Sequence, residues 1–331
     1  MHIFLDKLSN IVYSFVMQDN VTISLVQLMR QFPNDEAARL HFEEKRWGDG
    51  IVCPHCGGSH KIYPVSRKNS KGEKVNGYYE CGECRKVFTV RTGTVMERSH
   101  IPLQFWLIAF YLDVTERKGI SSMQLSKHLG ITQKSAWFML GRIRTAAQKG
   151  VGLLGGVVEA DATYIGGRES NKHESKKQNL GRGTVGKTPV LGLRSRSGKV
   201  VARVLADTKQ ETVHAVLNEV LEDDAMLVTD EHKAYKDTKF LHKSVNHSVK
   251  EYKRGGIHTN GIESVWAVLK RAYHGVYHGF STKHIQLYVN EVAFRLNDAN
   301  VNVHVETRMN RLWEGCIGKR ITYKELIADA A

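Results

Sequence analysis

Residues 258–271 read HTNGIESVWAVLKR, and their meaning turns on Glu263. Val265, Trp266 and Leu269 recur at the spacing of one buried helix face, and Glu263 stands in the first turn of that helix. A first-turn glutamate complements the positive end of a helix and by itself says nothing about function. Two further features ask for more. Lys270 follows Glu263 by two turns on the same face. Earlier in the chain Asp161 ends the run VVEAD and Asp230 ends AMLVTD. If those two runs are neighbouring parallel strands, both carboxylates project at one end of a sheet.

The intervening order permits that arrangement. VVEADATYI is followed by a Gly/Lys-rich loop over 166–188, the strands PVLGLRS and KVVARVLA joined at Ser197-Gly198, a helix over 209–222, and AMLVTD. A hairpin and a crossover helix between apolar strands make a mixed α/β unit. Carboxylates held close together repel unless hard cations bridge them, and Mg²⁺ and Mn²⁺ take oxygen ligands with positions left for water and phosphate. Such a cluster suits two-metal phosphoryl transfer. Each acid also has a plainer role: Asp161 as a turn residue, Asp230 as an N-cap, Glu263 as a dipole partner. Asp207, Asp223 and Asp224 read as turn residues. His258 and Asn260 stand close enough to orient Glu263, to touch nucleic acid, or to cap the helix.

Composition bears on the partner. With 48 Lys and Arg against 34 Asp and Glu, the net charge is +14 and the pI near 9.5, which favours a polyanion. No apolar run reaches the roughly 18 residues that span a bilayer, so no membrane partner is expected. The N-terminal MHIFLDKLSNIVYSFVMQ lacks the basic start and cleavage site of a signal peptide. The expectation is a cytoplasmic protein, associated with the nucleoid when bound to DNA.

Four of the five cysteines form two CxxC pairs, Cys53/Cys56 and Cys81/Cys84. Paired thiolates of this kind hold one tetrahedral Zn²⁺ and staple a ribbon too small for its own core. With 24 residues between the pairs, the loop 61–77 must bulge outward. His55 and His60 are left over once four sulfurs fill the coordination sphere.

Between the ribbon and the α/β unit the chain is helical. PLQFWLIAFYLDV is strongly apolar, and SSMQLSKHLGITQKSAWFMLGRIRTAAQ reads as two helices across Gly130, the second capped by Thr132. This is a helix-turn-helix pattern, in which the start of the second helix reaches base edges. Thr132, Gln133, Lys134 and Ser135 are the candidate readers, and Arg142 and Arg144 the candidate phosphate contacts. A plain helical hairpin in a core is the alternative, and the basic balance of the chain favours DNA.

In combination, FPNDEAARLHFEEKRWGDGIVCPHCG, FTVRTGTVME, EADATYIGG, VTDEHKAY and HTNGIESVWAVLKRAYHGVYHGFS resemble bacterial insertion-sequence transposases of the DDE class with an N-terminal zinc ribbon, over roughly residues 23–300. The resemblance implies a ribonuclease H-like catalytic domain in which Asp161, Asp230 and Glu263 hold two Mg²⁺ or Mn²⁺ ions and Lys270 is the trailing basic residue. It implies cleavage at the element's terminal inverted repeats followed by strand transfer into target double-stranded DNA, by a homo-oligomer. The expected organisation is an N-terminal extension (1–20), helical lead-in and zinc ribbon (21–92), helix-turn-helix (95–150), catalytic domain (155–300) and helical tail (301–331). Two rivals are a DNA-binding regulator or silent transposase, and a ribonuclease H-like nuclease or resolvase. The loop 166–187 adds Lys172, Lys176 and Lys177 as expected DNA contacts beside Asp161.

Overall fold

The first helix among the described residues opens on a capping box. Ser24 accepts from the Gln27 amide and the Gln27 side chain accepts from the Ser24 amide, so two otherwise orphan donors are met. The computed structural model describes residues 22–68, 71–148, 152–167, 169–171, 173–177, 183–245, 257–297 and 303–328. Helix α1 (Leu25–Gln31) stops before Pro33, and α2 (Asp35–Trp47) restarts from Asn34, whose side chain accepts from the Ala37 amide at 2.9 Å. Strands β1 (Ile62–Lys68), β2 (Lys74–Cys81) and β3 (Val87–Phe88) form an antiparallel sheet in that order. Three helices follow: α3 (Leu103–Thr115), α4 (Ser122–Leu129) and α5 (Gln133–Ala146). Gly130 takes the left-handed conformation, φ +64°, that lets the chain turn between α4 and α5.

The second sheet is mixed. It contains β4 (Val157–Ile165), β5 (Thr188–Ser195), β6 (Val200–Val204), β7 (Met226–Asp230) and β8 (Leu241–Val245), in the order β6-β5-β4-β7-β8. The pairs β4–β5 and β5–β6 are antiparallel, whereas β4–β7 and β7–β8 are parallel. Helix α6 (Gln210–Val220) crosses from β6 to β7; then come α7 (Asn260–Ala272), α8 (Ile285–Asn297), α9 (Val305–Cys316) and α10 (Tyr323–Ile327). Alternation along β4 sorts its side chains between two layers. Val158 and Ala160 pack with Leu193 and Leu217 under α6, and Ile165 packs with Val190, Trp266 and Val289 under α7 and α8. Glu159, Asp161 and Thr163 share the α7 side.

Strand β6 is the sheet edge that α8 covers. Asn297 accepts from the Val200 amide at 2.6 Å and donates to the Val200 carbonyl, while Gln286 accepts from the Val204 amide at 2.7 Å and donates to the Ala202 carbonyl. These amides satisfy backbone groups that would otherwise template another strand.

One core joins the ribbon to the helices. Cys53, Cys81 and Phe88 pack in a cluster with Phe42, Trp106, Phe110 and Met139, and α9 enters the same cluster through Val305, Met309, Leu312, Trp313 and Cys316. Helix α9, from late in the chain, thus completes the N-terminal core.

A buried ionic network crosses from these helices to the mixed sheet's helices. Arg144 on α5 donates from Nε to Glu291 at 2.7 Å, and Arg295 donates to Glu291 at 2.8 Å and to Asp113 at 3.3 Å. Burial opposes ionisation of Glu291, but Arg144 and Arg295 overcome it and hold its carboxyl well below the usual range. Burial and the charge of Glu291 push the Asp113 carboxyl well above that range. Two guanidiniums therefore depend on one anion. Glu291→Gln should destabilise the protein by about 3–5 kcal/mol, because it leaves buried charge uncompensated. A denaturation midpoint equal to wild type would contradict that.

Candidate active site

Parallel pairing sets the first two acids side by side. Val157, Val158 and Glu159 pair with Met226, Leu227 and Val228, and the same register continued by two residues puts Asp161 opposite Asp230. Asp230 ends β7, and Asp161 stands opposite it at the middle of β4. The strand bearing Asp161 runs on to Ile165, so this residue lies within β4 and pairs with Gly192 on β5. That corrects the plainer reading of Asp161 as a turn residue. Asp230 accepts from the His232 amide at 3.2 Å, but the cap of the short turn that follows is His232, whose Nδ1 accepts from the Ala234 amide. Asp230 is not an N-cap.

Glu263 is exposed in the first turn of α7, and Thr259 donates to its Oε1 at 3.3 Å. The Asp161 carboxyl is raised above its ordinary value, first by burial, then by the charge of Asp230, with Glu263 adding to it. Asp161 thus stands within electrostatic reach of both Asp230 and Glu263. The donor set is all oxygen, the chemistry that hard divalent cations take.

Two side chains that sequence reasoning left out of the site belong to it. Trp266 donates its indole N–H to Asp161 Oδ2 at 2.9 Å, and the Ala162 amide donates to Oδ1 at 2.8 Å, so the carboxylate is fixed at both oxygens. Gly192 makes room: a Cβ there would lie 2.5 Å from the Trp266 ring. Tyr235 is buried, and burial together with the charges of Asp161 and Asp230 pushes its hydroxyl well above its ordinary value. The signal for Trp266 was its position three residues after Glu263, which reads equally well as packing.

The other expected residues are distributed as follows. Lys270 is exposed on α7. Asn260 is the exposed first residue of that helix. His258 is drawn back against Arg196, whose Nη1 lies 2.6 Å from its Nε2. Asp207 accepts from the Lys209 amide and Thr212 hydroxyl, and Asp223 pairs with Lys239, as turn residues do. A cavity of about 1170 Å³ between β6, α8 and α9 touches none of the three carboxylates.

At the start of α5, Thr132 accepts from the Ser135 amide at 3.2 Å, Gln133 donates to Ser122 at 2.8 Å, and Lys134 lies 4.8 Å from the Tyr323 ring. Thr132, Gln133 and Lys134 are exposed. Arg142 and Arg144 are not. Arg144 is locked in the buried network, and Arg142, 6% exposed, lies over the Phe138 ring at 4.2 Å. The expectation that they contact phosphates is corrected, since α8, α9 and α10 pack against α5 and bury both side chains. In the loop after β4, Lys177 pairs with Glu174 at 2.6 Å. Lys172 and the side chain of Lys176 lie outside the described residues.

The zinc centre follows from its own geometry. Cys53 Sγ lies 3.7 Å from Cys84 Sγ, and Cys56 Sγ lies 3.6 Å from Cys81 Sγ, with all four within 4.8 Å of one another. Sulfurs at about 2.3 Å from a tetrahedral Zn²⁺ stand about 3.8 Å apart. The knuckles are alike: the Gly57 amide donates to the Cys53 carbonyl and the Arg85 amide to the Cys81 carbonyl, each from a residue of positive φ. Backbone N–H groups of Cys84 and Glu83 lower the Cys81 thiol to about 7. Exposed His55 and His60 stand outside this cluster. The four cysteines form a structural Zn²⁺ site.

Comparison with known proteins bears on both regions of the chain. A family model described as an ISXO2-like transposase domain matches residues 153–297, and one described as a transposase zinc-ribbon domain matches residues 33–87. The first match contains all three carboxylates and the second all four cysteines. Together the two matches support an insertion-sequence transposase with an N-terminal zinc ribbon. It is 28% identical over 282 residues to a Halobacterium salinarum relative named "Uncharacterized protein in transposable element ISH50", covering 81% of this chain and 92% of that one. Among solved structures, a chain of the simian T-cell lymphotropic virus intasome in complex with PP2A regulatory subunit B56 gamma aligns over 53% of this chain and 62% of that one, at 16% identity. Its TM-score of 0.26 is too low to carry any argument.

Proposed function

We propose that this protein binds the terminal inverted repeats of its insertion sequence as a homo-oligomer, cleaves to free 3′-hydroxyls, and joins them to target DNA. The observation that carries this reading is the register that aligns Asp161 with Asp230 beneath the start of the helix bearing Glu263. A sheet of three antiparallel strands extended by two parallel ones, with the acids at its centre and a third on a covering helix, supports a ribonuclease H-like domain of the DDE class. Asp161, Asp230 and Glu263 are the residues that would hold Mg²⁺ or Mn²⁺. Two such ions would activate the attacking oxygen and stabilise the leaving one in an in-line displacement at phosphorus.

The protein's own groups do the rest. Trp266 and the Ala162 amide fix the orientation of Asp161. Lys270, exposed two turns beyond Glu263, offers its ammonium to a phosphate near the scissile bond. The pair α4–α5 acts as a helix-turn-helix, with Thr132, Gln133 and Lys134 at the exposed helix start facing base edges. Asn260 faces the same DNA path as Lys270, and Lys172, Lys176 and Lys177 add cationic charge after β4. The division into ribbon, helix-turn-helix and catalytic units along the boundaries expected from sequence is part of this proposal.

Purified protein incubated with linear DNA carrying the element's ends tests the reading. With Mg²⁺ the account expects 3′-hydroxyl termini at the element's boundary and joined products. With EDTA it expects bound but uncut DNA. Cleavage without joining would favour a nuclease or resolvase, and binding without Mg²⁺-dependent cleavage would favour a regulator.

A further inference from the structure

Glu159 is 2% exposed, and a glutamate is almost never buried so fully unless it is paired. It precedes Asp161 by two residues on β4 and therefore faces the same side of the sheet, towards α7. Its Oε2 accepts from the Ile262 amide at 2.9 Å, in the first turn of the helix that carries Glu263. The helix has no cap of its own there. Its N-cap Thr259 makes no side-chain cap bond and donates to Glu263 instead.

The other oxygen of Glu159 anchors the approach to the helix. Oε1 lies 3.1 Å from Arg196 Nε and 3.5 Å from His258 Nδ1, and Arg196 donates from Nη2 to the His258 carbonyl at 3.2 Å. Gly261 makes the close approach possible, since a Cβ at that position would stand 2.6 Å from Glu159 Oε2. Arg194 on β5 adds a second tie, donating to the Gly261 carbonyl and to Ser264, each at 2.7 Å. The first turn of α7 is thus held by β4, which carries Asp161, and by its antiparallel neighbour β5.

We propose that Glu159 is a positioning residue that sets Glu263 relative to Asp161, by supplying from the strand of one carboxylate the cap of the helix that carries the other. The proposal rests on the reading of Asp161, Asp230 and Glu263 as a cation site. Cation ligands must be held within about 0.5 Å of their productive places, and a strand that carries both Asp161 and the helix cap does so without relying on loop geometry. Glu159 itself touches neither DNA nor the reacting atoms.

Mn²⁺ uptake by the zinc-loaded protein, followed by the electron paramagnetic resonance signal of free Mn²⁺, separates positioning from plain stability. Glu159→Gln keeps an acceptor for Ile262 but sets an amide N–H₂ against the Arg196 guanidinium, so the helix start should shift. The expected result is Mn²⁺ affinity about 10–100-fold weaker than wild type. End binding should be unchanged, and cleavage should return at high Mn²⁺. Asp161→Asn should lose the site and gain nothing from added cation. Gly261→Ala presses on Glu159 without changing any charge, and the same weakening is expected if Glu159→Gln does not fold. Wild-type Mn²⁺ affinity in Glu159→Gln or in Gly261→Ala, with only a lowered melting temperature, would reduce Glu159 to a structural residue and overturn the inference. Equal uptake by wild type and Asp161→Asn would overturn the cation reading and this inference with it.

Discussion

Asp161→Asn and Asp230→Asn should each abolish strand cleavage, by about 10³-fold or more, and leave binding to the terminal repeats nearly unchanged. The size follows from the role. A cation contributes several kcal/mol of charge stabilisation in the transition state, and about 1.4 kcal/mol is a factor of ten in rate. An amide brings no charge to bind the cation. At position 161 it also disturbs an arrangement in which two donors, the Trp266 indole and the Ala162 amide, each meet a carboxylate oxygen. Binding is spared because carboxylates repel phosphates, and its affinity comes from lysines and arginines elsewhere. Gel-shift and cleavage assays on the same preparations separate the two effects. Either variant cleaving within a few-fold of wild type would show that these acids are not the metal ligands.

The second large effect concerns zinc. Structural zinc in small domains contributes about 10–16 kcal/mol of apparent binding free energy, which is folding free energy where the ion supplies the core. In this chain the consequence extends past the ribbon. Trp47 at the end of α2 packs edge-on against Tyr79 and Phe88 of the ribbon sheet at 5.7 and 5.8 Å, and Cys53 and Cys81 share the cluster that contains Phe42, Trp106 and Trp313. Cys53→Ser should unfold the ribbon, loosen the helices that share its core, and weaken end binding. The mixed sheet has its own cores on both faces and should persist. Limited proteolysis should leave a fragment beginning near residue 150, and metal analysis of wild type should find one zinc per chain. A folded preparation with well under one zinc per chain would refute this.

What was legible in the sequence were the features set by local chemistry. Pro33 and Asn34 mark a break and a cap, Thr132 caps α5, Ser197-Gly198 turns a hairpin, and the paired CxxC motifs announce one ion, because each signal and its partner lie within a few residues. The order of strands and helices was enough to expect Asp161 and Asp230 on parallel neighbours. Strand β8 was hidden because its sequence LHKSV is largely polar and Leu241 faces outward, 64% exposed. The positions that were misread or passed over depend on contacts far apart in the chain: Arg144 meets Glu291 across 147 residues, Trp266 meets Asp161 across 105, and Ile262 meets Glu159 across 103. A basic residue on a helix looks the same locally whether it faces DNA or a buried glutamate. The sequence carries one signal for Glu159, since a glutamate between Val158 and Ala160 in a buried strand needs a partner.

The central claim is that Asp161 holds a catalytic cation, and Asp161→Cys tests it most directly. A thiolate is a poor ligand for hard Mg²⁺ and a better one for softer divalent ions. The account predicts that Asp161→Cys binds end DNA, fails to cleave it in Mg²⁺, and recovers cleavage in part when Mn²⁺ replaces Mg²⁺, whereas Asp161→Asn is inactive in both. Cleavage by Asp161→Cys in Mg²⁺ at the wild-type rate would contradict it.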